Sequence, residues 1–141
     1  MTSSSPAPGF AALGLISIAL ILGGCSAYDA AAHGRATSTS PNETAFTKAH
    51  PDTAPWLPVD AASITVVQST REANTITIGY ESATEPEGCE TVTRTSAPTM
   101  DIDADVDVYA IDSVLRCDRW AVAHDGDRWV AWTPASEATQ P

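Results

Sequence analysis

Basic side chains are scarce in this sequence of 141 residues: seven Lys and Arg stand against eighteen Asp and Glu, a net charge of −11. So acidic a surface repels phosphate backbones, which argues against nucleic acid as a partner, and it repels anionic lipid headgroups as well. Catalytic patterns are missing too. There is no Gly-x-Ser-x-Gly elbow, no His-Glu-x-x-His and no Gly-rich phosphate loop. Cysteine is limited to three residues, with no Cys-x-x-Cys and no His beside a Cys, so nothing resembles a zinc site. No apolar run reaches the eighteen or so residues of a permanent membrane span, and no helix of three turns or more is evident over 56–134. Nothing in this inventory calls for a cofactor.

What is present begins with residues 10–22, FAALGLISIALIL, apolar apart from Gly14 and Ser17. As a helix these thirteen residues rise only about 20 Å, short of the roughly 30 Å hydrocarbon core. That length suits the apolar centre of a signal peptide. Gly23 and Gly24 then break the helix and lead to Cys25, whose thiolate is the group able to take a lipid by thioether chemistry. Leu22-Gly23-Gly24-Cys25 resembles the lipobox of bacterial lipoproteins, which is Leu, a small residue, Gly or Ala, then Cys. The resemblance covers only about the first 25 residues. It implies diacylglycerol on the Cys25 sulfur, cleavage before Cys25, and a mature protein held by lipid on the extracytoplasmic face of the cell membrane.

With Cys25 lipidated, Cys89 and Cys117 remain as an even pair in an oxidising compartment, and a structural disulfide is expected. Residues 26–55 are rich in Ala, Ser, Thr and Pro, with Phe46 the sole bulky apolar residue after Tyr28. Such a stretch buries too little surface to offset its ordering entropy, so 25–55 is expected to be a lipidated flexible tether.

Folded structure is expected over 56–134. Residues 63–70 (SITVVQST) and 75–81 (TITIGYE) alternate in the strand period around a polar turn at 71–74, which predicts a hairpin. Residues 90–95 (ETVTRT) read as a more polar strand at an edge. Asp125-Gly126 is a favoured type I′ turn dipeptide between strands at 118–124 and 127–133. With those two residues as the turn, Val122 faces Trp129 and Trp120 faces Ala131, while Arg119 faces Trp132 on the outer side. Residues 135–141 read as a disordered tail. The fold class is therefore all-β: a small antiparallel β-sandwich or partly open barrel with one disulfide, behind a signal peptide (1–24) and a tether.

Candidates for chemistry are few. Asp101, Asp103, Asp105 and Asp107 alternate with Ile102, Ala104 and Val106, which on a strand puts four carboxylates on one face. Clustered carboxylates suit calcium, and Asp112 even falls at the twelfth place of an EF-hand-like loop. Val106, however, occupies the place where that loop needs Gly, and strict alternation predicts an extended, solvated face instead. His124 flanks a turn beside Asp125 and Asp127, a His–Asp neighbourhood that supports catalysis only with a nucleophile at hand. Trp132, Arg119 and His124 are the candidates for a recognition surface. The expectation is a non-enzymatic, lipid-anchored module that binds an envelope protein or ligand. The alternative is a small extracytoplasmic hydrolase or an accessory subunit of a membrane enzyme complex.

Overall fold

The computed structural model describes residues 31–141. Seven strands are present: β1 (Arg35–Asn42), β2 (Ala62–Ser69), β3 (Ile76–Glu81), β4 (Glu90–Thr93), β5 (Ser113–Cys117), β6 (Trp120–Asp125) and β7 (Arg128–Thr133). The helix α1 (Glu43–Ala49) follows β1. All seven strands join one antiparallel sheet in the order β1-β2-β3-β7-β6-β5-β4. The all-β antiparallel class with one disulfide is thus what the chain forms. Its architecture is one open sheet in place of two stacked sheets or a closed barrel.

The reason lies in what covers the sheet. Ile64, Val66, Ile78, Tyr80, Leu115, Trp120, Val122 and Trp129 face one side, where Phe46 of α1 and Ala54, Trp56, Leu57 and Ala61 pack on them. Ala121, Ala123, Val130 and Trp132 face the other side beneath Ile102, Ala104, Val106 and Val108 of the long connection 94–112. Irregular chain does on both faces what a second sheet does in a sandwich. The central strands β6 and β7 are consequently buried on both faces through most of their length.

The folded unit begins earlier than expected. Residues 35–49, assigned above to the tether, form β1 and α1. β1 is made of Thr and Ser instead of aliphatics, but Thr is β-branched and an edge strand needs little apolar surface. It pairs with β2 from Arg35↔Ser69 to Asn42↔Ala62. Asn42 then caps α1, its Oδ1 accepting from the Ala45 N–H at 2.9 Å, and Phe46 enters the core. Residues 135–141 are ordered as well, through a 3-10 turn at Ser136–Thr139. Cys25 and the signal-peptide segment lie outside the described residues.

The β6–β7 turn also differs from expectation. Asp125 pairs with Arg128, so the two-residue turn is Gly126-Asp127 and each cross-strand pair moves by two positions. Gly126 has φ +62 and Asp127 is not left-handed, the pattern of a II′ turn, which wants Gly at the first central place. A shift of two preserves the faces, so Trp120, Val122 and Trp129 share one side as expected. The pairs themselves become Val122↔Ala131, His124↔Trp129 and Ala121↔Trp132.

Candidate functional site

A polar notch opens where the 94–112 connection crosses the end of the sheet that carries the β6–β7 turn. Ser63 and Thr65 of β2, Gly79, Tyr80 and Glu81 of β3, Arg128 of β7 and Asp103–Asp105 line about 180 Å³. Two backbone features build it. The β2–β3 register slips between Ala62 and Thr65, and Ser63 sits at φ +51, a bulge that turns the end of β2 toward the notch. Gly79 lets the connection approach closely: a Cβ there would meet Ile102 Cδ1 at 3.0 Å and Ala104 Cβ at 3.2 Å. The Arg128 guanidinium donates to Asp105 Oδ2 at 2.6 Å, and both groups are solvent-exposed. The rim therefore offers hydroxyls, carboxylates and one guanidinium. That inventory can hold a small polar group by hydrogen bonds. It contains no nucleophile paired with a base.

The aspartate run differs from expectation in one respect. It is an irregular covering segment and not a strand, because Ile102, Ala104 and Val106 pack down on the Ala121, Val130 and Trp132 cluster. Its alternation is real: Asp101, Asp103, Asp105 and Asp107 are exposed between half-buried apolar neighbours. Asp107 accepts from the Tyr109 N–H at 3.1 Å and starts a 3-10 turn, while Asp105 is engaged with Arg128. Among the described residues no three His, Cys, Asp or Glu side chains converge to hold a metal ion.

Trp132, Arg119 and His124 do not share a surface. Trp132 is buried at 1 % exposure, and its indole N–H donates to Ser96 Oγ at 2.8 Å. The observed register puts Ala121, not Arg119, opposite it. Arg119 instead lies over Trp120 at 5.9 Å and donates to Asn74 Oδ1 at 3.1 Å. His124 stacks on Trp129 at 4.3 Å on the opposite side of the sheet from Trp132. Its Nδ1 lies 3.4 Å from the Gly126 carbonyl, not beside a Ser or Asp.

Two polar groups that sequence reasoning missed hold this region together. Glu137 is fully buried, and its carboxylate accepts from the Thr95 and Ser96 N–H groups at 2.6 and 2.7 Å and from the Ser96 hydroxyl. Burial disfavours its charge, but the Ser96 hydroxyl and the backbone donors outweigh burial and hold the carboxyl below its usual range. Nothing in ASEATQP marks Glu137 out, since the groups it satisfies lie about forty residues away in sequence. Asp60 accepts from Ser82 Oγ at 2.7 Å and from the Ala83 N–H at 3.1 Å. The Ser82 hydroxyl is the main reason that its carboxyl also lies below the usual range. Burial, reinforced by the charge of Asp60, pushes the Tyr80 phenol well up.

Cys89 and Cys117 are joined across β4 and β5, one step beyond the Glu90↔Arg116 pair, with Cα atoms 4.5 Å apart. The disulfide indicates an oxidising, extracytoplasmic location. Compared with models of known families, with curated proteins and with solved structures, the chain finds no match.

Proposed function

We propose that this chain is a lipid-anchored, extracytoplasmic binding module without catalytic activity, held by diacylglycerol at Cys25 and meeting an envelope partner through the notch between β2, β3, β7 and Asp103–Asp105. The observation that carries the binding reading is the bulge at Ser63. It is an irregularity in an otherwise regular sheet, and it places the Ser63 hydroxyl on the lining of the polar notch. His124, the side chain best placed in sequence for acid–base work, is occupied by Trp129 and a backbone carbonyl, which supports a role in packing. The disulfide and the lipobox agree on the compartment.

Two experiments test the proposal. Cys25→Ser should abolish fatty-acid labelling and release the protein from the membrane fraction; a variant that still labels contradicts the anchor. Crosslinking on intact cells, followed by mass spectrometry, should recover a defined envelope partner with the native chain. Recovery should drop at least several-fold with Ser63→Ala combined with Arg128→Ala. Undiminished recovery with that variant rules out the notch.

A further inference from the structure

β1 and β4 are the two edges of the sheet, and they are not alike. β4 has four residues, starts with Glu90 in an ion pair with Arg116, and has its outer Thr93 carbonyl covered by the Gln140 amide at 3.1 Å. β1 has eight residues, and no strand lies beyond it among the described residues. From Ala36 to Asn42 it carries no charge. The Thr70 N–H donates to the Gly34 carbonyl at 2.9 Å, which fixes the parity of the β1–β2 ladder. Ala36 and Ser38 exchange hydrogen bonds with β2, so Arg35, Thr37 and Thr39 turn their own N–H and C=O groups outward. Pro41 follows in that series with no N–H to offer, and it alone blunts the edge.

The notch lies at the Asn42 end of β1, and its charges do not balance. Arg128 is taken by Asp105, while Glu81 and Asp103 have no ion-pair partner among the described residues; nor has Arg35. Arg35 cannot serve its own notch, because it stands at the other end of β1, roughly 20 Å away. It does share the notch's face, since Arg35, Thr37 and Thr39 lie on the side of Thr65 and Gly79. A second copy set antiparallel along β1 reverses the ends. With Ser38 opposite Ser38, Thr37 meets Thr39 and Arg35 meets Pro41, and every outward N–H finds a carbonyl. Centring the contact on Thr39 instead would set the Thr37 carbonyl against Pro41, which cannot donate. Beyond Pro41 lie Ser63 and then Glu81, beside the Asn42↔Ala62 and Ala62↔Glu81 pairs. The Arg35 and Glu81 Cα atoms are then about three strand spacings apart, roughly 14 Å. An extended arginine and an extended glutamate close that gap together.

We infer that the chain pairs with a second copy of itself through β1, in a two-fold antiparallel contact that continues the sheet and supplies each notch with Arg35 of the other copy. Two chains that each carry a net charge of −11 associate most readily where carboxylates are absent, and β1 is the edge that meets this condition. The occupant is a second copy and not a foreign strand because the cation that the notch lacks stands on this same chain, on the same face, at the matching end of the edge. The inference goes beyond the reading above and does not depend on lipid at Cys25. The notch is then walled by two chains, and a partner bound there meets both.

The test places a thiol on the two-fold. In Ser38→Cys the two cysteines face each other with Cα atoms about 4.5 Å apart, the separation that Cys89 and Cys117 already bridge. In intact cells this variant should run as a disulfide-linked dimer on a non-reducing gel, and mass spectrometry of the band should find this chain alone. Asp127→Cys, in the exposed β6–β7 turn away from β1, reports chance collision and should give several-fold less dimer. Added to Ser38→Cys, Arg35→Glu should lower the dimer several-fold, and Glu81→Arg on top of it should restore the band, since the swap remakes the pair between copies. Thr39→Pro, which removes the central outward N–H, should abolish it; the charge swap tests the contact even if that variant does not fold. A Ser38→Cys band no stronger than that of Asp127→Cys, a band holding a different protein, or a dimer indifferent to Arg35→Glu overturns the inference. A loss with Arg35→Glu that Glu81→Arg does not restore overturns the entry of Arg35 into the notch.

Discussion

Removing one carboxylate should unlatch the C-terminal segment from the sheet. In Glu137→Ala the N–H groups of Thr95 and Ser96 lose their acceptor, and the Ser96 hydroxyl, which also receives the Trp132 indole, loses its own. Hydrogen bonds to a charged group contribute about 1.5–3 kcal/mol each, but these three act as a set and part of their loss is recovered by water entering the gap. A total near 3 kcal/mol is therefore expected, equivalent to a fall in Tm on the order of 15 °C for a domain of this size. Glu137→Gln keeps one carbonyl acceptor and should lose about half as much. Urea unfolding followed by tryptophan fluorescence measures both. The pH dependence has a definite sign. Because the folded carboxyl titrates below the usual range of the unfolded chain, its stabilisation is complete above that range and fades as pH falls through it toward the folded value. The gap between native protein and Glu137→Ala should thus be widest near neutrality and shrink on acidification. A loss below about 0.5 kcal/mol, or a gap that does not change with pH, would refute the latch.

Three further outcomes are expected. Cys89→Ser with Cys117→Ser opens a loop of sequence separation 28 and should lower stability by about 3–4 kcal/mol on the chain-entropy model; alkylation of the native, non-reduced protein should find neither cysteine free. Gly79→Val drives two methyl groups into Ile102 and Ala104 and should cost about 1–3 kcal/mol in urea unfolding, whereas an equally stable variant would show that the 94–112 connection does not rest on β3. Millimolar calcium should leave Tm no higher than magnesium does, because Asp105 and Asp107 already have protein partners; a calcium-specific rise of several degrees, lost in Asp103→Ala with Asp105→Ala, would reveal a site.

Period-two alternation made β2 and β3 legible, and Asp-Gly marked the last hairpin, because both signals are local. Its register was not legible: Asp125 and Asp127 flank Gly126 symmetrically, and only the backbone of the turn decides whether Arg128 pairs with Asp125 or with Ala123. β1 escaped because Thr37 and Thr39 on an edge strand look like linker composition; what orders them is the ladder to β2, a partner about thirty residues on. The aspartate run gave the right alternation for a different reason, since packing against Val130 and Trp132 imposes the same period as a strand. The notch was beyond reach, as Ser63, Glu81, Asp103 and Arg128 converge only once the sheet order is set.

The strand order divides the molecule into two consecutive meanders, β1–β3 and β4–β7, whose strands pair with each other only at the β3–β7 ladder. The cover of each half also reaches across the division. Trp56, from the first half, seats its indole against Trp120 of the second at 5.7 Å, while Ile102 and Ala104 of the second half close over Gly79 of the first. The halves are interlocked like clasped hands, some fingers of each laid across the other. Neither is a folding unit by itself, so the domain should melt in one cooperative step with no half-folded species. Once assembled, it needs no peptide bond across the exposed residues 83–85 to stay together, and a chain nicked there should persist as a tight two-fragment complex.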